Sequence, residues 1–418
     1  MEENGMSRRN FIKQSAAGAA ILTSTMSALK PGRVLGANDR VRVAIIGPGD
    51  RGRSLMNQFQ RHAEDLNMEL VAVCDIWKPH RDRAANMLKE WGISEPIVCR
   101  NTDELYERND IDAVITATAD FQHAWMAKMA VENGKDVFAE KPFAHFMEDA
   151  REAREVIKNS DRVFSVGTQR RSDVKYKVAA DFVASGEFGN LVMVEMTWNV
   201  NQPHRWRRYD AVQHMREEDT DWRRFRLHLE KRGYPHEPFD PRKHLEFRLF
   251  WPYSSGLIDQ WMSHQIDIVP WISGDPYPKS CVASGGIYAW KDGRANPDTF
   301  SAVFEYPSGF HVNYTSRQNN SAGGTREVFY STKGALWPGA ARVTGEGGDG
   351  SLQDQTLEHG PGVDHMRNWM ECIRTRETPN GDIEAAYQHS VAGCMAAEAL
   401  QTGKRVTFNP ETHEIETA

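Results

Sequence analysis

Hydrophobic and polar positions follow two different patterns along the chain. In residues 41–166, short apolar and β-branched runs alternate with segments in which apolar residues recur every three or four positions. The first pattern is typical of strands buried on both faces, and the second is typical of amphipathic helices. We predict strands at 41–46, 70–74, 113–117, 136–139 and 163–166 and helices at 54–62, 124–132 and 147–157. The alternation predicts βαβ units and a parallel sheet.

The second half is different, because its strand-like runs alternate apolar and polar residues. The runs are 192–198, 281–290, 299–306 and 311–316, and they predict an antiparallel sheet with one open face. Between them, residues 199–255 are irregular and rich in Trp, Arg, His and Pro. Such a segment is either a loop that faces a sugar or a solvated connector with packed aromatic residues. We favour the functional loop and select His204 and Trp206 from it, with Gln169 and Arg170 after strand 163–166, as substrate-binding residues.

Length and composition restrict the class of protein. The chain has 418 residues, and single hydrophobic cores stop growing near ~250–300 residues, so two domains are expected. Its formal net charge of −7 does not favour nucleic acid as a partner. The five cysteines are far apart and show no ligand spacing, so we expect neither a disulfide framework nor a metal site.

The first 37 residues have the order of an export signal. Ser7, Arg8, Arg9 and Lys13 precede an Ala-rich apolar run, and small residues follow near position 37. We predict a twin-arginine signal at 1–37 and a periplasmic location. The run is shorter than the ~20 residues that a bilayer requires, so no membrane insertion is expected after signal cleavage. The alternative is an amphipathic first helix that contains an Arg-Arg pair.

A glycine-rich turn follows the first predicted strand. Gly47, Gly49 and Gly52 form a GxGxxG pattern that also contains Asp50 and Arg51. Between a strand and a helix, these glycines allow a tight turn, close approach of a pyrophosphate and close helix packing. The helix N-terminus adds amide donors for phosphate. The GxGxxG pattern alone is weak evidence for a dinucleotide-binding turn, so its interpretation depends on the residue at the end of the next strand.

An acidic residue ends that next strand at the expected place. Asp75 lies roughly 20 residues beyond the motif, where a carboxylate hydrogen-bonds a ribose hydroxyl and repels a 2′-phosphate. No Arg is immediately adjacent in the sequence. The pattern therefore predicts NAD as the cofactor rather than NADP. The alternative is that Asp75 is only a turn residue at the strand end.

Two polar clusters follow the strands at 113–117 and 136–139. Thr118 and His123 belong to the first, and Glu140 and Lys141 begin the second, which reads Glu-Lys-Pro. Because ligands on parallel sheets bind beyond the carboxyl ends of the strands, we expect both clusters to contact the cofactor.

Together these motifs resemble the glucose-fructose oxidoreductase, inositol dehydrogenase and MocA (Gfo/Idh/MocA) family. The glycine turn with Asp75, a TPNxxH-like segment with Thr118 and His123, the Glu-Lys-Pro step and a late run at 365–374 carry the likeness, which covers nearly the whole chain after the signal. Ala119 and Asp120 replace the usual Pro and Asn. The resemblance implies an α/β protein: an N-terminal Rossmann domain at 38–166, then an α+β domain at 167–418 with a large, mostly antiparallel open sheet. It also implies C-terminal helices packed on the Rossmann domain and a homo-oligomer.

The resemblance also suggests the catalytic residues. In the family, the segment at 256–271, which we predict to be a helix entering the cleft, commonly reads Asp-x-Gly-x-His-x-x-Asp. Here Gln260 occupies the first Asp position, while His264 and Asp267 match. Hydride transfer needs a base for the hydroxyl proton, and we predict that Lys141 orients the hydroxyl while His264 takes the proton. Gln260 and Asp267 are predicted to bind substrate, and the Gln260 amide is available to the imidazole. The alternatives are an exposed loop lysine and a core histidine.

The resemblance and the signal together lead to three functional hypotheses. The first is an exported NAD-dependent oxidoreductase that acts on a sugar or sugar derivative and retains its cofactor, since free NAD is scarce outside the cytoplasm. The second is an NAD-dependent glycoside hydrolase that oxidises carbon three, eliminates, adds water and re-reduces, as family relatives do. The third is a non-catalytic sugar-binding protein.

Overall fold

Six parallel strands form the first sheet of the structure, a computed structural model that describes residues 39–348 and 350–417. The strand order is β3-β2-β1-β4-β5-β6. The strands are β1 Val41–Ile46, β2 Met68–Cys74, β3 Ile97–Cys99, β4 Ala113–Thr116, β5 Asp136–Ala139 and β6 Phe164–Val166. The order reverses between β1 and β4, and this reversal opens a crevice at the carboxyl ends of the strands. The signal predicted at 1–37 lies outside the described residues.

Helices cover both faces of this sheet, as the continuous apolar strands require. They are α1 Asp50–Ala63, α2 Lys78–Glu90, α3 Thr102–Tyr106, α4 His123–Glu132 and α5 Met147–Lys158. Leu55, Met56 and Phe59 of α1 are fully buried against the sheet. The predicted helix at 54–62 therefore starts four residues late, because the glycine turn leads directly into the helix.

Ten strands form the second sheet, in the order β14-β13-β12-β11-β7-β10-β9-β8-β15-β16. The strands are β7 Leu191–Asn199, β8 Ser280–Gly286, β9 Thr299–Glu305, β10 His311–Arg317, β11 Thr325–Ser331, β12 Gly334–Trp337, β13 Arg342–Gly345, β14 Gln355–Thr356, β15 Val406–Asn409 and β16 Glu414–Thr417. Among the strands that the structure describes, β7 and β10 are the one pair in this sheet that runs parallel, so the sheet is mostly antiparallel. The predicted fold class, a Rossmann domain followed by a domain with a mostly antiparallel sheet, is confirmed.

The strand predicted at 281–290 is too long. β8 ends at Gly286, and the next residues leave the ladder because the Asp298 carboxylate accepts hydrogen bonds from the backbone N–H groups of Tyr288, Ala289 and Trp290. The carboxylate of the residue just before β9 thus replaces the backbone carbonyls of that neighbouring strand as the partner of these amides.

The segment at 199–255 is more regular than its sequence predicts. It contains α7 Tyr209–His214, α8 Trp222–Lys231 and α9 Pro241–Leu245, and α6 Val174–Ala184 precedes it. The carboxylates of Asp221 and Asp240 cap the N-termini of α8 and α9. Aromatic residues of the segment, among them Trp222 and Phe225, pack into one core with Phe121 of the first domain, so the segment is a packed layer rather than a loose loop.

A bent helical segment follows it, where one helix is predicted at 256–271. A π-helical turn at Ile258–Met262 leads into α10 Ser263–Ile266 and α11 Ile268–Ser273. Turns of this kind are uncommon and are found frequently at functional sites.

The last two helices return to the first sheet. α12 His365–Thr375 places Met366 and Trp369 in the core beneath β1 and β5. α13 Ile383–Thr402 packs between α5 and the second sheet. Both sheets therefore belong to one compact unit, Val41–Ala418. No helix among the described residues is long and apolar enough to cross a membrane.

Candidate functional site

A cleft of about 1150 Å³ opens at the carboxyl ends of the parallel strands. Its walls are the glycine turn, the loops after β2, β4 and β5, the segment that contains residues 201–208, and the π-helical turn. Fourteen of the residues selected from the sequence line it: Gly47, Gly49, Asp50, Arg51, Asp75, Thr118, His123, Glu140, Lys141, Gln169, His204, Trp206, Gln260 and His264. The tertiary structure thus brings together most of the predicted site.

The glycine turn has the geometry of a dinucleotide-binding turn. Gly47 has a φ of +78°, and a Cβ there would lie 2.8 Å from the carbonyl oxygen of Ala117. A Cβ on Gly52 would lie 2.3 Å from the carbonyl oxygen of Gly47. Gly52 therefore does not line the cleft but permits the close packing of α1 that the motif predicts. The turn exposes the N-terminus of α1 to the cleft, where its amides are donors for phosphate.

Asp75 stands at the end of β2 on the cleft wall. Its Oδ1 accepts a hydrogen bond from the Trp77 amide at 2.8 Å, and its Oδ2 lies 3.1 Å from Nδ1 of His80. The helical turn that follows also brings the Arg81 guanidinium to the Asp75 carbonyl at 2.6 Å and places Arg83 on the cleft wall. Sequence adjacency did not indicate these cations, because Arg81 and Arg83 lie six and eight positions beyond Asp75, on the helix α2 that follows it.

The loop after β4 is fixed by His123. Its ring nitrogens lie 2.8 Å from the carbonyl oxygen of Pro142 and 3.2 Å from that of Thr118, so the imidazole joins the loops after β4 and β5. The Thr118 hydroxyl is buried without a hydrogen-bond partner in the structure. Glu140 is nearly buried and accepts a hydrogen bond from Nε of Arg51 at 2.6 Å. Three features at this edge of the sheet fit a dinucleotide cofactor: the glycine turn, the carboxylate of Asp75 at the end of β2, and the buried Thr118 hydroxyl without a partner.

Lys141 projects from the end of β5 toward the π-helical turn. Its Nζ donates to the backbone carbonyls of Gln260 at 2.8 Å and Asp259 at 3.4 Å. Burial lowers the pKa of Lys141 to about 8, with Asp120 and Glu140 opposing the shift and Arg248 adding to it. Lys141 is therefore not a simple exposed loop lysine, and its free amine is well populated just above neutral pH.

His264 faces the same part of the cleft from α10. Among the residues that the structure describes, none hydrogen-bonds its imidazole, which stacks on Trp198 at 5.6 Å between ring centroids. Burial, followed by the charges of Lys141 and Arg170, lowers the pKa of His264 well below its usual value. The ring is therefore neutral at pH 7 and its protonated form is disfavoured.

Aromatic rings form a wall beside His264. Trp198 and Trp261 stack at 5.9 Å with an interplanar angle of 6°, and Trp206 lies 5.6 Å from Trp261. All three residues line the cleft. Such a surface suits the apolar face of a sugar ring. Trp206 was selected from the sequence, whereas Trp198 and Trp261 were missed because each lies within a regular element where an aromatic residue usually means core.

Three predicted site residues have other partners. The side-chain amide of Gln260 donates to Asp120 and accepts from Nε of Arg248 at 2.8 Å, so it does not hydrogen-bond the imidazole of His264. Arg170 does not line the cleft, because its guanidinium donates to the His264 carbonyl at 2.6 Å and pairs with Glu327 at 2.6 Å.

Asp267 is likewise not in the cleft, which corrects its assignment as a substrate ligand. It is fully buried and pairs with Arg171 at 2.9 Å and with His389 at 3.3 Å. Both Arg170 and Asp267 therefore hold the helix that carries His264 rather than contact a ligand.

Sequence reasoning did not select three charged residues in or directly behind the cleft wall. Asp120 is nearly fully buried and accepts from Ser254 Oγ at 2.6 Å. Arg248 reaches the cleft from a short turn, and Arg208 pairs with Asp50 of the glycine turn. The departure of Asp120 from the family pattern was visible in the sequence. The two arginines gave no signal, because they come from the segment at 199–255, which has ten arginines without a regular pattern.

The described residues contain no group of three or more His, Cys, Asp and Glu side chains arranged to hold a metal ion. The five cysteines are all free and buried. Burial raises the pKa of Cys74 and Cys394 well above the ordinary thiol value, so these thiols remain protonated near neutral pH.

Comparison with known proteins matches both parts of the chain. Residues 41–168 match the oxidoreductase family with an NAD-binding Rossmann fold, Gfo/Idh/MocA, and residues 221–337 match a C-terminal domain of the same family. Among curated relatives, a glycosyl hydrolase family 109 protein of Shewanella baltica is 31% identical over 236 residues, which are 48% of this chain and 50% of that protein. The scyllo-inositol 2-dehydrogenase (NAD(+)) of Bacillus subtilis is 34% identical over 158 residues, 37% of this chain and 43% of that enzyme. The chain spans about half the length of the curated relatives it matches.

Solved structures share the fold over most of the chain. The WlbA dehydrogenase of Bordetella pertussis, in complex with NADH and UDP-GlcNAcA, has a TM-score of 0.65 at 17% identity and covers 88% of this chain and 99% of its own. An NAD-binding protein of Listeria innocua has a TM-score of 0.61 at 18% identity, covering 88% and 96%. Family models match both the first sheet and part of the second domain, and the chain belongs to the Gfo/Idh/MocA family of NAD-binding oxidoreductases.

Proposed function

We propose that the protein oxidises a secondary hydroxyl of a sugar or sugar derivative by hydride transfer to NAD. The observation that carries the proposal is the convergence of Lys141 and His264 on one end of the cleft, beside the aromatic wall and next to the dinucleotide cradle. His264 follows Gln260, whose carbonyl holds Lys141, by one helical turn. Proton-handling groups and a sugar-stacking surface thus meet at the same place.

The chain's own residues divide the proton chemistry between them. NAD, held by the glycine turn, Asp75 and Thr118, supplies the hydride acceptor when bound. The free amine of Lys141 takes the hydroxyl proton, because its pKa near 8 is close to the working range. Neutral His264 hydrogen-bonds the same hydroxyl and orients it. This assignment reverses the roles expected from the sequence, since the cationic surroundings of His264 disfavour its protonated form.

The test combines cofactor content with turnover. Protein is purified from cytoplasmic expression, denatured, and the released NAD(H) is quantified against protein; sugars and polyols are then screened for reduction of the cofactor. We expect NAD near stoichiometry and Lys141→Met to abolish turnover with cofactor retained. Lys177→Met, which removes an exposed lysine of α6, is the matched control. A Lys141→Met variant with undiminished turnover would refute the proposed chemistry, and no turnover with any sugar would favour a binding protein.

Export remains part of the proposal and rests on the sequence of residues 1–37. Fusion of these residues to a folded reporter should direct it to the periplasm only in cells with a working twin-arginine pathway. Replacement of Arg8 and Arg9 by lysine should stop the export. A reporter that stays in the cytoplasm in all cells would exclude this location.

A redox-neutral glycoside hydrolase is the second candidate. Its support is the likeness to proteins named as glycosyl hydrolase family 109 over half of their length. Transient oxidation at carbon three would let the carbon-two proton and the carbon-one leaving group depart, after which water adds and the ketone is reduced. Release of 4-nitrophenol from aryl glycosides without an added acceptor, with deuterium entering carbon two in D₂O, is the expected result. Sugar oxidation that requires added NAD as a net oxidant would exclude it.

A homo-oligomer is also proposed, from the open face of the second sheet. Val282 of β8 and Val303 of β9 lie opposite each other and are 42% and 38% exposed. An apolar pair in the middle of an open sheet suits contact with a second copy. Light scattering after size exclusion should give a multiple of the chain mass, and Val303→Lys should reduce it.

A further inference from the structure

Arg248 lies at the reacting end of the cleft. It belongs to a short turn, Phe247–Leu249, and its Nε donates to the side-chain oxygen of Gln260 at 2.8 Å. The backbone carbonyl of the same Gln260 accepts from Lys141, also at 2.8 Å. Arg248 and Lys141 therefore both hydrogen-bond Gln260. Arg248 lines the cleft, and the two terminal nitrogens of its guanidinium form no hydrogen bond among the described residues.

Arg248 is held in place but not neutralised. The Gln260 amide that accepts from it also donates to the buried carboxylate of Asp120, and the guanidinium lies 4.4 Å from the ring centroid of Phe247. Among the residues that the structure describes, no carboxylate forms an ion pair with Arg248 or with its neighbour Arg205. The orientation of the fork is thus fixed while its charge lacks a direct partner.

Other arginines of the same segment are paired, which makes the contrast informative. Arg207 pairs with Glu246 at 3.0 Å, and Arg224 pairs with Asp103 at 2.7 Å. Their guanidinium groups serve the fold. Four arginines of the segment form no ion pair among the described residues: Arg205, Arg223, Arg226 and Arg248. Of these four, Arg205 and Arg248 line the cleft.

The charges at this end of the cleft also repel one another. Burial lowers the pKa of Arg248, Asp120 opposes the shift, and Arg208 and Arg205 add to it. Burial followed by Arg208 lowers the pKa of Arg205. Desolvated like charges destabilise a folded protein unless an anion relieves them.

We propose that the sugar substrate carries an anionic oxygen group, a carboxylate or a phosphate, that binds the terminal nitrogens of Arg248 with support from Arg205. A guanidinium fork matches two oxygens of such a group with parallel hydrogen bonds. The inference rests on the proposed function and narrows it from sugars to acidic sugars or sugar phosphates.

The cofactor's own phosphates do not account for Arg248. The pyrophosphate belongs at the glycine turn, where Arg51 pairs with Glu140 and Arg208 pairs with Asp50. Arg248 is attached instead to the π-helical turn beside Lys141. The anionic site therefore belongs to the substrate.

The test is calorimetric binding to the NAD-loaded protein, without turnover. The probes are glucuronate, galacturonate and mannuronate, the 6-phosphates of glucose, galactose and mannose, and these three neutral hexoses themselves. We expect at least one charged probe to bind about tenfold to hundredfold more tightly than its neutral counterpart, as charged hydrogen bonds allow. A preference for uronates assigns a carboxylate, and a preference for the 6-phosphates assigns a phosphate. Added NaCl should weaken only the charged probes.

Variants test whether Arg248 causes the preference for charged over neutral probes. Arg248→Gln should remove most of it, Arg248→Lys should keep only part because the fork is lost, and Arg216→Gln, which removes an exposed arginine of the same segment, should leave it unchanged. A panel in which no charged probe binds more tightly than its neutral counterpart would overturn the proposal, as would a preference that survives both Arg248 variants. Uronate binding without oxidation of any sugar would instead refute the proposed function and leave the anionic site standing.

Discussion

Lys141 donates a hydrogen bond to the backbone carbonyl of Gln260 at 2.8 Å, across 119 positions of sequence. This contact joins the cofactor end of β5 to the π-helical turn of the second domain. Because a widened turn changes the direction of its carbonyl groups, the turn can present them to an ammonium group. In the proposed function, the substrate hydroxyl lies beside this contact.

The pH dependence of sugar oxidation should follow Lys141. Its pKa is lowered from 10.5 to about 8 by burial, and the free amine is the active form. The rate of oxidation should therefore rise as pH increases through about 8 and level off above it. Steady-state rates from pH 6 to pH 10 at saturating NAD test this. A profile that is flat across pH 8 would contradict the assignment of Lys141 as the base.

Asp75 should determine the preference for NAD. Asp75→Ala removes the carboxylate that binds ribose hydroxyls and repels a 2′-phosphate, and it leaves Arg81 and Arg83 nearby. We expect the ratio of NAD to NADP affinity to fall by about tenfold or more. Titration of both cofactors by tryptophan fluorescence measures the ratio. Glu69→Ala, on the same strand β2, serves as the control, and an unchanged ratio in Asp75→Ala would argue that Asp75 is only a turn residue.

Gly52 and Gly49 should respond differently to a methyl group. In Gly52→Ala, the new Cβ meets the Gly47 carbonyl oxygen at 2.3 Å, so the turn or α1 must shift. We expect a loss of about 1–3 kcal/mol in the free energy of unfolding. In Gly49→Ala, the neighbour at 3.3 Å is the side chain of His80, which has to shift by only a few tenths of an ångström, so stability should change little while NAD binding weakens. Urea unfolding and NAD titration of both variants separate the two effects.

Asp267 should matter for stability more than for binding. Burial alone would raise the pKa of Asp267, but Arg171 and His389 outweigh it and the pKa is lowered from 3.8. Asp267→Asn leaves the Arg171 charge buried without its partner, and we expect a loss of about 3–5 kcal/mol.

The pH dependence of that loss has a defined sign. A carboxyl group with a lowered folded-state pKa stabilises the protein above its unfolded value and ceases to do so as pH falls through the folded value. The difference in the free energy of unfolding between wild type and Asp267→Asn should therefore become smaller below about pH 4. Asp82→Asn, which breaks an exposed pair with Lys78, should change stability by less than about 1 kcal/mol. Equal losses in the two variants would contradict the structural role of Asp267.

Arg208 should slow the release of NAD. It reaches from the segment at 199–255 to Asp50 on the glycine turn, so the contact spans the cleft. Both partners are about half exposed, which limits the energy of the pair to roughly 1 kcal/mol. Arg208→Gln should therefore raise the NAD dissociation rate about twofold to fivefold, as measured by stopped-flow displacement. An unchanged rate would mean that the contact does not retain the cofactor.

Much of the first domain follows from sequence alone. The buried strands of a parallel sheet are continuous apolar runs, and β1 and β5 begin and end where the pattern predicts. The glycine turn and Asp75 were recognisable because their chemistry depends on backbone shape and on a fixed spacing. Lys141 and His264 were found through the family motifs. The pairing of β7 with β10 in parallel was not foreseen, because local periodicity does not contain the register of distant strands.

Tertiary structure alone decided which polar groups remain free for a ligand. Asp267 and Arg170 look like site residues in the sequence, yet both are satisfied by buried partners, whereas Arg248 gave no signal and lacks an ion partner within the described residues. The sequence also predicted that His264 takes the proton, whereas burial and the neighbouring cations lower the pKa of His264 well below its usual value, which is why we propose Lys141 for that role. The identity and spacing of residues determine local backbone shape and the chemistry available. Burial and the charges of distant neighbours determine which of those groups can act, since both arise only when the chain is folded.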